Sequence, residues 1–523
     1  MKPDNTRNHA GKWQRAVVVG AGFGGLAAAL RLRVLGYDVV VVDGLDQAGG
    51  RARAFRKEGY VFDAGPTVIT APHLIGELFT LAGRDPHDHY ELIEVDPFYR
   101  VQFGHGGHFD YVGDEARVLD QIRDIEPRDV EGYRRFAAHA EKIFDTGYTQ
   151  LADTPFGSLA EMLRVAPEMV KLESWRSVYG LAAKYFRSED LRQVFSFQPL
   201  LVGGNPFSTT SIYTLIHWLE RKWGVHFARG GTTAIVSALV SLLGELGVEV
   251  RTSCAVEKIT THAGRTTGVQ LAGGEHLSAD IVVANGDPAT IYPLVDNGQG
   301  TPAMGRAAQK SAKMSPSMSL FVAYFGTDKR YEDVKHHTIL LGPRYRGLLA
   351  DIFDNKVLAD DFSLYLHRPT ATDPSLAPKG HDAWYVLSPV PNQQSGIDWA
   401  DAGPAYQQRI FDALDQSLLP GLRQHLTTSF TIDPRTFAAD YRTKDGAAFG
   451  PEPVLTQSAW FRTHNKSPDV GGLYFVGAGT HPGAGVPGVL CSAKVLERIV
   501  ERPARPMPLP QTRLARLSTR RVA

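Results

Sequence analysis

The chain has 523 residues, more than one hydrophobic core usually organises, so we expect two or more structural domains. Hydrophobic residues make up 43% and charged residues 21%, which is typical of a folded protein and excludes a wholly disordered chain. The formal net charge is +0, which lacks the basic excess of a nucleic-acid-binding protein, so we expect no nucleic-acid partner.

The first chemical motif is a glycine-rich turn that follows a predicted strand at 15–19 and opens a predicted helix at about 24–36. Its glycines are Gly20, Gly22, Gly24 and Gly25. Gly20 permits a tight turn, Gly22 lets the backbone approach a pyrophosphate at the helix N-terminus, and Gly25 allows close packing of helix on strand. The pattern predicts a Rossmann-like dinucleotide site, and the alternative is a tight turn without a ligand.

A second group of cofactor residues follows the next predicted strand, at 38–42. Asp43 ends that strand and is placed to accept hydrogen bonds from a ribose. Gly50 and Arg51 come soon after, followed by a Phe-Asp-Ala-Gly-Pro-Thr stretch that contains Pro66 and Thr67. The spacing of these residues resembles that in the amine-oxidase and carotenoid-desaturase branch of FAD proteins, and the resemblance implies that Gly50, Arg51, Pro66 and Thr67 contact the cofactor. The alternative for Arg51 is a surface charge.

The sequence pattern then changes twice along the chain. Helical periodicity dominates from about 115 to 222, and a pattern of alternating strands and helices returns at about 229–290. Aromatic-rich alternating runs between 315 and 430 predict a largely antiparallel sheet. A last strand, Leu473–Val476, enters a second glycine-rich turn. This turn and its helix N-terminus can stabilise negative charge on a reduced flavin ring. We therefore expect further cofactor contacts from Val256, Gly477, Ala478, Gly479, Gly488 and Val489.

These patterns predict an α/β fold in which a dinucleotide-binding domain is assembled from discontinuous segments around an inserted substrate domain of antiparallel sheet plus helices. The predicted boundaries are 1–14 for a disordered arm, 15–114, 223–295 and 441–502 for the cofactor-binding segments, 115–222 for a helical substrate and membrane-facing region, 296–440 for the substrate-domain sheet, and 503–523 for a basic Pro- and Arg-rich tail.

Cysteine and histidine usage give no metal prediction. The two cysteines, Cys254 and Cys491, lie far apart, so we expect neither a disulfide framework nor a metal ligand pair and take a reduced cytosolic compartment as the default. The histidines at 87–89 and the pair His336–His337 sit in polar stretches without a carboxylate or cysteine at ligand spacing.

No signal peptide or transmembrane helix is predicted, because four glycines interrupt the apolar run at 16–30 and no other run is long enough.

Several stretches are similar to the bacterial phytoene desaturases, a family of FAD-dependent enzymes. They cover about residues 15–500 and include Asp63–Thr70, Leu201–Phe207, Ser211–His217, Gly342–Arg346, Asp361–His367, Glu452–Phe461 and Gly477–Gly488. One departure is Asp43, where glutamate is commoner in the family. The resemblance implies FAD as cofactor, an apolar carotenoid precursor desaturated in successive steps to lycopene or neurosporene, and peripheral attachment to the cytoplasmic side of the membrane. Quinone and oxygen both remain open as the electron acceptor.

The helical region carries the candidate helper residues. Glu161 and Arg164 share one helix face at i and i+3, and an acid-x-x-Arg occurs here in the family, so we predict a catalytic role for both. The alternative is an exposed ion pair. Five aromatic residues are candidates for a substrate tunnel: Phe186, Phe195, Phe197, Tyr213 and Trp218. The composition of 151–186 suits helices lying in a membrane interface, and arginines of the tail, such as Arg513 and Arg520, are candidates for lipid contact.

Three other functions remain open. A desaturase of another carotenoid intermediate would look nearly alike in sequence. A flavin amine oxidase-type enzyme would share the fold but act on a soluble amine. A non-catalytic isoprenoid-binding relative would have lost the cofactor contacts, whereas both glycine turns and Arg51 are intact here.

Overall fold

Helices and strands alternate along the chain in the computed structural model, which describes residues 13–157, 159–296 and 305–510. The helices are α1 (Phe23–Leu35), α2 (Pro72–Leu81), α3 (Glu115–Ile125), α4 (Val130–Phe144), α5 (Leu159–Lys171), α6 (Val178–Tyr185), α7 (Glu189–Val194), α8 (Leu215–Trp223), α9 (Thr232–Glu245), α10 (Pro288–Ile291), α11 (Arg306–Lys313), α12 (Tyr345–Ala350), α13 (Trp399–Gln416), α14 (Leu422–His425), α15 (Pro434–Ala439) and α16 (Val486–Ile499).

The strands fall into three larger sheets and two hairpin-sized pairs. They are β1 (Arg15–Val19), β2 (Asp38–Val42), β3 (Ala54–Lys57), β4 (Tyr60–Asp63), β5 (Leu92–Glu94), β6 (Tyr99–Gln102), β7 (His108–Tyr111), β8 (His226–Ala228), β9 (Glu249–Arg251), β10 (Val256–His262), β11 (Arg265–Leu271), β12 (His276–Ser278), β13 (Ile281–Ala284), β14 (Val295–Asp296), β15 (Ser319–Thr327), β16 (His337–Leu340), β17 (Leu364–His367), β18 (Asp382–Val390), β19 (Leu426–Ile432) and β20 (Leu473–Phe475). The mixed α/β class expected from the sequence is confirmed.

A five-stranded parallel sheet has the order β20-β13-β1-β2-β9. Its strands come from three separate stretches of the chain. The valine runs of β1 and β2 are buried on both faces, as parallel strands require. One face packs on α1, α2, α9 and α16, and the other packs on a four-stranded sheet of order β12-β11-β10-β14.

A seven-stranded sheet has the order β19-β15-β18-β17-β16-β6-β7. All its pairings are antiparallel except that of β16 with β6. Two of its strands, β6 and β7, come from 99–111, which the sequence analysis groups with the first cofactor-binding segment. The aromatic side chains Tyr99, Phe109 and Tyr111 place these strands here because they complete the apolar core beneath the sheet.

Between 115 and 222 the described residues form helices α3 to α8 and no strand. None of the helices in the described ranges is both long enough and apolar enough to cross a membrane.

The first part of the Pro- and Arg-rich tail, up to residue 510, is held against α1. Met507 N–H donates to Gly36 O at 2.7 Å, and the buried Arg33 donates to the carbonyls of Met507 and Pro508. The remaining arginines predicted to meet lipid, Arg513, Arg516, Arg520 and Arg521, lie outside the described residues, as does the arm up to residue 12.

The expectation that His336 and His337 lie in a polar stretch is wrong. Both are buried, at 5% and 0% exposure, because His337 begins β16 inside the seven-stranded sheet.

Candidate active site

The two glycine-rich turns meet at the carboxyl edge of the parallel sheet. The first follows β1 and opens α1, and the second follows β20 and leads to α16. Open parallel sheets bind ligands at this edge, where the strands end and helices begin. Both helix N-termini carry a partial positive charge, which suits an anionic ligand.

The glycines of the first turn are required by backbone proximity. Gly20 has φ +101°, a left-handed conformation that favours glycine. A Cβ on Gly25 would lie 1.9 Å from Gly20 O, and a Cβ on Gly24 would lie 3.1 Å from Gly477 Cα. The first and second turns therefore touch through their backbones, and no larger residue fits between them.

Asn285 joins the two turns and was missed by the sequence analysis. It follows β13, donates its N–H to Val19 O at 2.8 Å and lines the same cavity as both turns. A Cβ on Gly477 would lie 2.6 Å from Asn285 Oδ1, so this amide fills the space between the loops. The available signal was the Asn-Gly pair, Asn285-Gly286, which directly follows the valine-containing run of β13 at the ligand-binding edge of the sheet.

Asp43 lies at the end of β2, with its carboxylate turned toward the first turn. Oδ2 accepts from Ala21 N–H at 2.6 Å and Oδ1 accepts from Leu45 N–H at 2.8 Å. Burial raises the pKa of Asp43, and these backbone donors act in the opposite direction. The side chain lines the cavity, where a ribose hydroxyl can share the carboxylate.

Arg51 supplies a cation at the same wall. Its guanidinium lies 5.7 Å from the centroid of the Tyr441 ring, and its buried Nε has no hydrogen-bond partner within the described ranges. Burial lowers the pKa of Arg51. A cation whose buried Nε has a free donor, next to a glycine cradle and two helix N-termini, fits the pyrophosphate of a dinucleotide such as FAD.

The second turn is fixed by another buried arginine that the sequence analysis missed. Arg462 is 1% exposed, and its Nη2 donates to Ala478 O at 2.7 Å. Gly477 N–H donates to Ser492 Oγ of α16 at 2.8 Å, and Gly485 caps that helix with φ +93°. Arg462 therefore places a positive charge directly behind the turn, where it would stabilise negative charge on a flavin ring bound beside the turn.

One cavity of about 650 Å³ extends from these turns into the space between the seven-stranded sheet and the helices. Beyond the glycine loops its walls are largely aliphatic, including Met162, Val165, Leu201, Ile216, Val322 and Ile339.

The few polar groups in this apolar part are neutral near pH 7. Burial raises the pKa of Glu220 to about 8, and it also raises the pKa of Tyr365 and Tyr385. Thr67 Oγ1 is hydrogen-bonded to both tyrosine hydroxyls, at 3.1 and 2.7 Å. Burial therefore favours the uncharged forms of Glu220, Tyr365 and Tyr385 in this part of the cavity.

Thirteen of the fifteen predicted cofactor residues line this cavity: Gly20, Gly22, Gly24, Asp43, Gly50, Arg51, Pro66, Thr67, Val256, Gly477, Ala478, Gly488 and Val489. The other two, Gly25 and Gly479, lie behind the lining. A Cβ on Gly479 would lie 2.3 Å from Pro288 Cδ, so its small size serves packing.

Of the two predicted helper residues, Arg164 does not line the cavity. Arg164 is exposed on α5, whereas Met162, Val165 and Met169 of the same helix line the cavity. The side chain of Glu161 lies outside what the structure describes. The catalytic roles of both stay predictions.

Of the aromatic residues predicted to line a tunnel, Phe197 and Tyr213 do so. Phe186 and Phe195 are 1% exposed and stack on each other in the core, and Trp218 packs against the same core. The spacing of these five aromatic residues in the sequence did not indicate which of them face the cavity and which face the core.

Residues 23–494 match the family described as flavin containing amine oxidoreductase. The chain belongs to that family. The predictions of FAD as cofactor and of an FAD-dependent oxidoreductase are thereby confirmed.

The resemblance to bacterial phytoene desaturases is confirmed as well. The chain is 49% identical over 482 residues to a lycopene-forming phytoene desaturase of Pseudescherichia vulneris, covering 92% of this chain and 98% of the relative. It is 43% identical to a neurosporene-forming phytoene desaturase of Rhodobacter capsulatus, covering 94% and 95%.

Solved structures share the fold at low sequence identity. Cyclohexylamine oxidase from Brevibacterium oxydans has a TM-score of 0.59 and 17% identity, covering 93% of this chain and 99% of that one. An oxidoreductase from Methanosarcina mazei has a TM-score of 0.59 and 17% identity, covering 92% and 100%.

Proposed function

We propose that the chain is an FAD-dependent phytoene desaturase that dehydrogenates phytoene in successive steps to lycopene. The observation that carries the proposal is the cavity that joins the two glycine turns to a largely aliphatic space. The identity to lycopene-forming relatives supports lycopene over neurosporene as the end product.

Removing two hydrogens from a saturated –CH2–CH2– unit requires an acceptor for the hydride, a route by which the accompanying proton leaves, a held substrate and exclusion of water. FAD, when bound, accepts the hydride. Residues of the first turn, Asp43 and Arg51 would hold its dinucleotide part, and Arg462 would steady the second turn beside the ring.

The aliphatic walls of α5, α8 and the seven-stranded sheet would hold the polyene chain by burial alone. Burial favours the neutral forms of Glu220, Tyr365 and Tyr385. Inserting the apolar chain beside these three side chains therefore does not require a charged group to lose its water. This property separates the site from that of a flavin amine oxidase, in which the substrate itself brings a charged ammonium.

We also propose that the region around α5 meets the cytoplasmic face of a membrane, from which the substrate enters. Leu163, Val170 and Trp175 are 64%, 65% and 61% exposed, which is unusual for large apolar side chains. The opposite face of α5 lines the cavity, so this helix separates the cavity from the outside. The guanidinium of Arg176 stacks 4.5 Å from the Trp175 ring, as in interfacial segments rich in tryptophan and arginine.

Two parts of the proposal concern chemistry next to the cavity. Glu161 and Arg164 remain the proposed helper residues at the α5 end. We propose a quinone, which is dissolved in the same membrane as the substrate, as the electron acceptor, with oxygen as the alternative.

The deciding experiment is expression of the chain in cells that accumulate phytoene, followed by chromatography with absorbance spectra. We expect a coloured polyene with the absorbance maxima of lycopene. The matched control is Gly25→Val, whose side chain collides with Gly20 O and prevents FAD binding. Untouched phytoene in cells that contain the flavin-loaded chain would contradict the proposal, and hydrogen peroxide release on adding an amine would indicate the oxidase function instead.

A further inference from the structure

Three histidines gather behind the wall of the cavity, on two paired strands. His337 begins β16 and lies opposite His367 at the end of β17, and His336 directly precedes β16. His336 is 5% exposed, and His337 and His367 are each 0% exposed. One ring nitrogen of each lies within 4.8 Å of the other two.

The outer nitrogens of two rings are held by hydroxyl groups. His336 Nδ1 lies 2.6 Å from Thr372 Oγ1, and His337 Nδ1 lies 2.6 Å from Tyr365 Oη. Histidines that bind a metal through one nitrogen are commonly fixed in this way through the other nitrogen.

The inner nitrogens face one another. His336 Nε2 and His367 Nε2 are 3.1 Å apart. Within the described ranges, His337 Nε2 and His367 Nδ1 have no hydrogen-bond partner, although both are buried. A buried nitrogen without a hydrogen-bond partner costs free energy. A ligand shared by the three neighbouring rings would remove this cost.

A positively charged side chain lies beside the cluster. The nearest charge, Arg368, is paired with Asp382 at 3.0 Å and so repels a cation less strongly.

We propose that His336, His337 and His367 form a three-histidine site for a divalent transition-metal ion, namely Zn²⁺. Imidazole is a preferred ligand of zinc, and three histidines leave one coordination position open. Tetrahedral zinc–nitrogen bonds of about 2.1 Å place two ligand nitrogens about 3.4 Å apart, so nitrogens near the 4.8 Å limit must approach each other when the ion binds. The ion would tie β16 to β17, and the Tyr365 hydroxyl would connect it to the cavity wall.

The test is metal analysis of tag-free, full-length protein, expressed with zinc in the medium and dialysed against a chelator. We expect an equimolar amount of zinc by inductively coupled plasma mass spectrometry, and a drop of about tenfold or more in His337→Gln and in His367→Gln. Protein loaded with Co²⁺ should show the visible absorption bands of a nitrogen-ligated cobalt site, and those bands should be lost in both variants.

The matched control is His217→Gln, which should keep its zinc. His217 is also buried and is also bonded through Nδ1 to a tyrosine hydroxyl, that of Tyr111, but no second histidine contacts its ring. Circular dichroism and flavin content identify variants that fail to fold. If the variants do not fold, zinc-edge X-ray absorption of the wild-type protein tests the site directly, because it counts the nitrogen ligands of the bound zinc. Wild-type protein without zinc or cobalt, zinc without nitrogen ligands, or equal zinc in folded His337→Gln and His217→Gln protein would overturn the proposal.

Discussion

Gly25 shows how one hydrogen atom decides whether the cofactor site forms. It lies inside α1 with its Cα facing the Gly20 carbonyl, and a Cβ would approach that oxygen to 1.9 Å. Because the obstacle is backbone, the helix must move away from β1 to admit even a methyl group, and the first turn moves with it.

We therefore expect Gly25→Ala to lose bound flavin and to destabilise the fold by about 2 kcal/mol or more. Flavin absorbance and denaturant unfolding measure the two effects. Gly244→Ala is the control, since Gly244 is also helical but has nothing within 4 Å of its Cβ position. It should stabilise the protein by about 0.5–1 kcal/mol. Equal behaviour of the two variants would refute the packing argument.

Arg164 separates two interpretations at the same scale. If the proposed helper role holds, Arg164→Ala abolishes turnover while bound FAD is retained. The neighbouring Arg176, which stacks on Trp175, gives a control in Arg176→Ala, which should change turnover less than about twofold. Near-normal turnover in Arg164→Ala would remove this residue from the mechanism and leave it as an exposed surface charge.

At the scale of the element, α5 has two apolar faces with different tasks. Met162, Val165 and Met169 line the cavity, whereas Leu163 and Val170 are exposed. A substitution one or two positions along this helix therefore changes either the cavity or the outer surface.

Val165→Trp should narrow the cavity and lower turnover of the long substrate at least about tenfold, with FAD still bound. Leu163→Trp places the same side chain on the exposed face and should leave turnover near the wild-type level. Pigment analysis alongside flavin content measures both. A fully active Val165→Trp variant would mean that substrate does not pass α5.

The outer face has its own prediction. Replacing Leu163, Val170 and Trp175 together by serine should weaken binding to anionic lipid vesicles about tenfold or more, because three exposed apolar side chains no longer insert. Vesicle flotation measures the fraction of protein bound to lipid. The control is Leu509→Ser, which also replaces an exposed leucine by serine but on the segment next to α1. Unchanged flotation of the triple variant would show that this surface does not bind the membrane.

At the scale of the whole molecule, buried acids make stability fall as the pH rises. Burial raises the pKa of Glu220 to about 8 and that of Asp63 to about 7. Folding therefore favours their protonated forms. This contribution is complete below the ordinary carboxyl pKa of about 4 and is lost as the pH rises through 7 to 8.

Glu220→Gln should flatten the decline of unfolding free energy between about pH 5 and pH 8, because the amide stays neutral throughout. Guanidinium unfolding at several pH values measures this slope. Glu141→Gln, on the exposed side of α4, should keep the wild-type slope. An unchanged slope in Glu220→Gln would show that this carboxyl ionises freely in the folded state.

Much of the cofactor site was predictable because its residues follow local rules. A glycine between a strand and a helix, or an acid at a strand end, has one geometric role wherever the chain later travels. Asn285 and Arg462 escaped because their roles arise from contacts between distant turns. The three histidines escaped for the same reason, since only the register of β16 with β17 unites them. Strand pairing of 99–111 with 337–340 likewise has no local signal.

The order of strands in the parallel sheet has a consequence for synthesis of the protein. β13 is hydrogen-bonded to β1 on one side and to β20 on the other, and β20 is translated almost two hundred residues after β13. A nascent chain on the ribosome therefore carries an open, valine-rich edge until residues 473–475 emerge. The second glycine turn arrives only afterwards. The cofactor site is therefore complete only after nearly the whole chain has been synthesised.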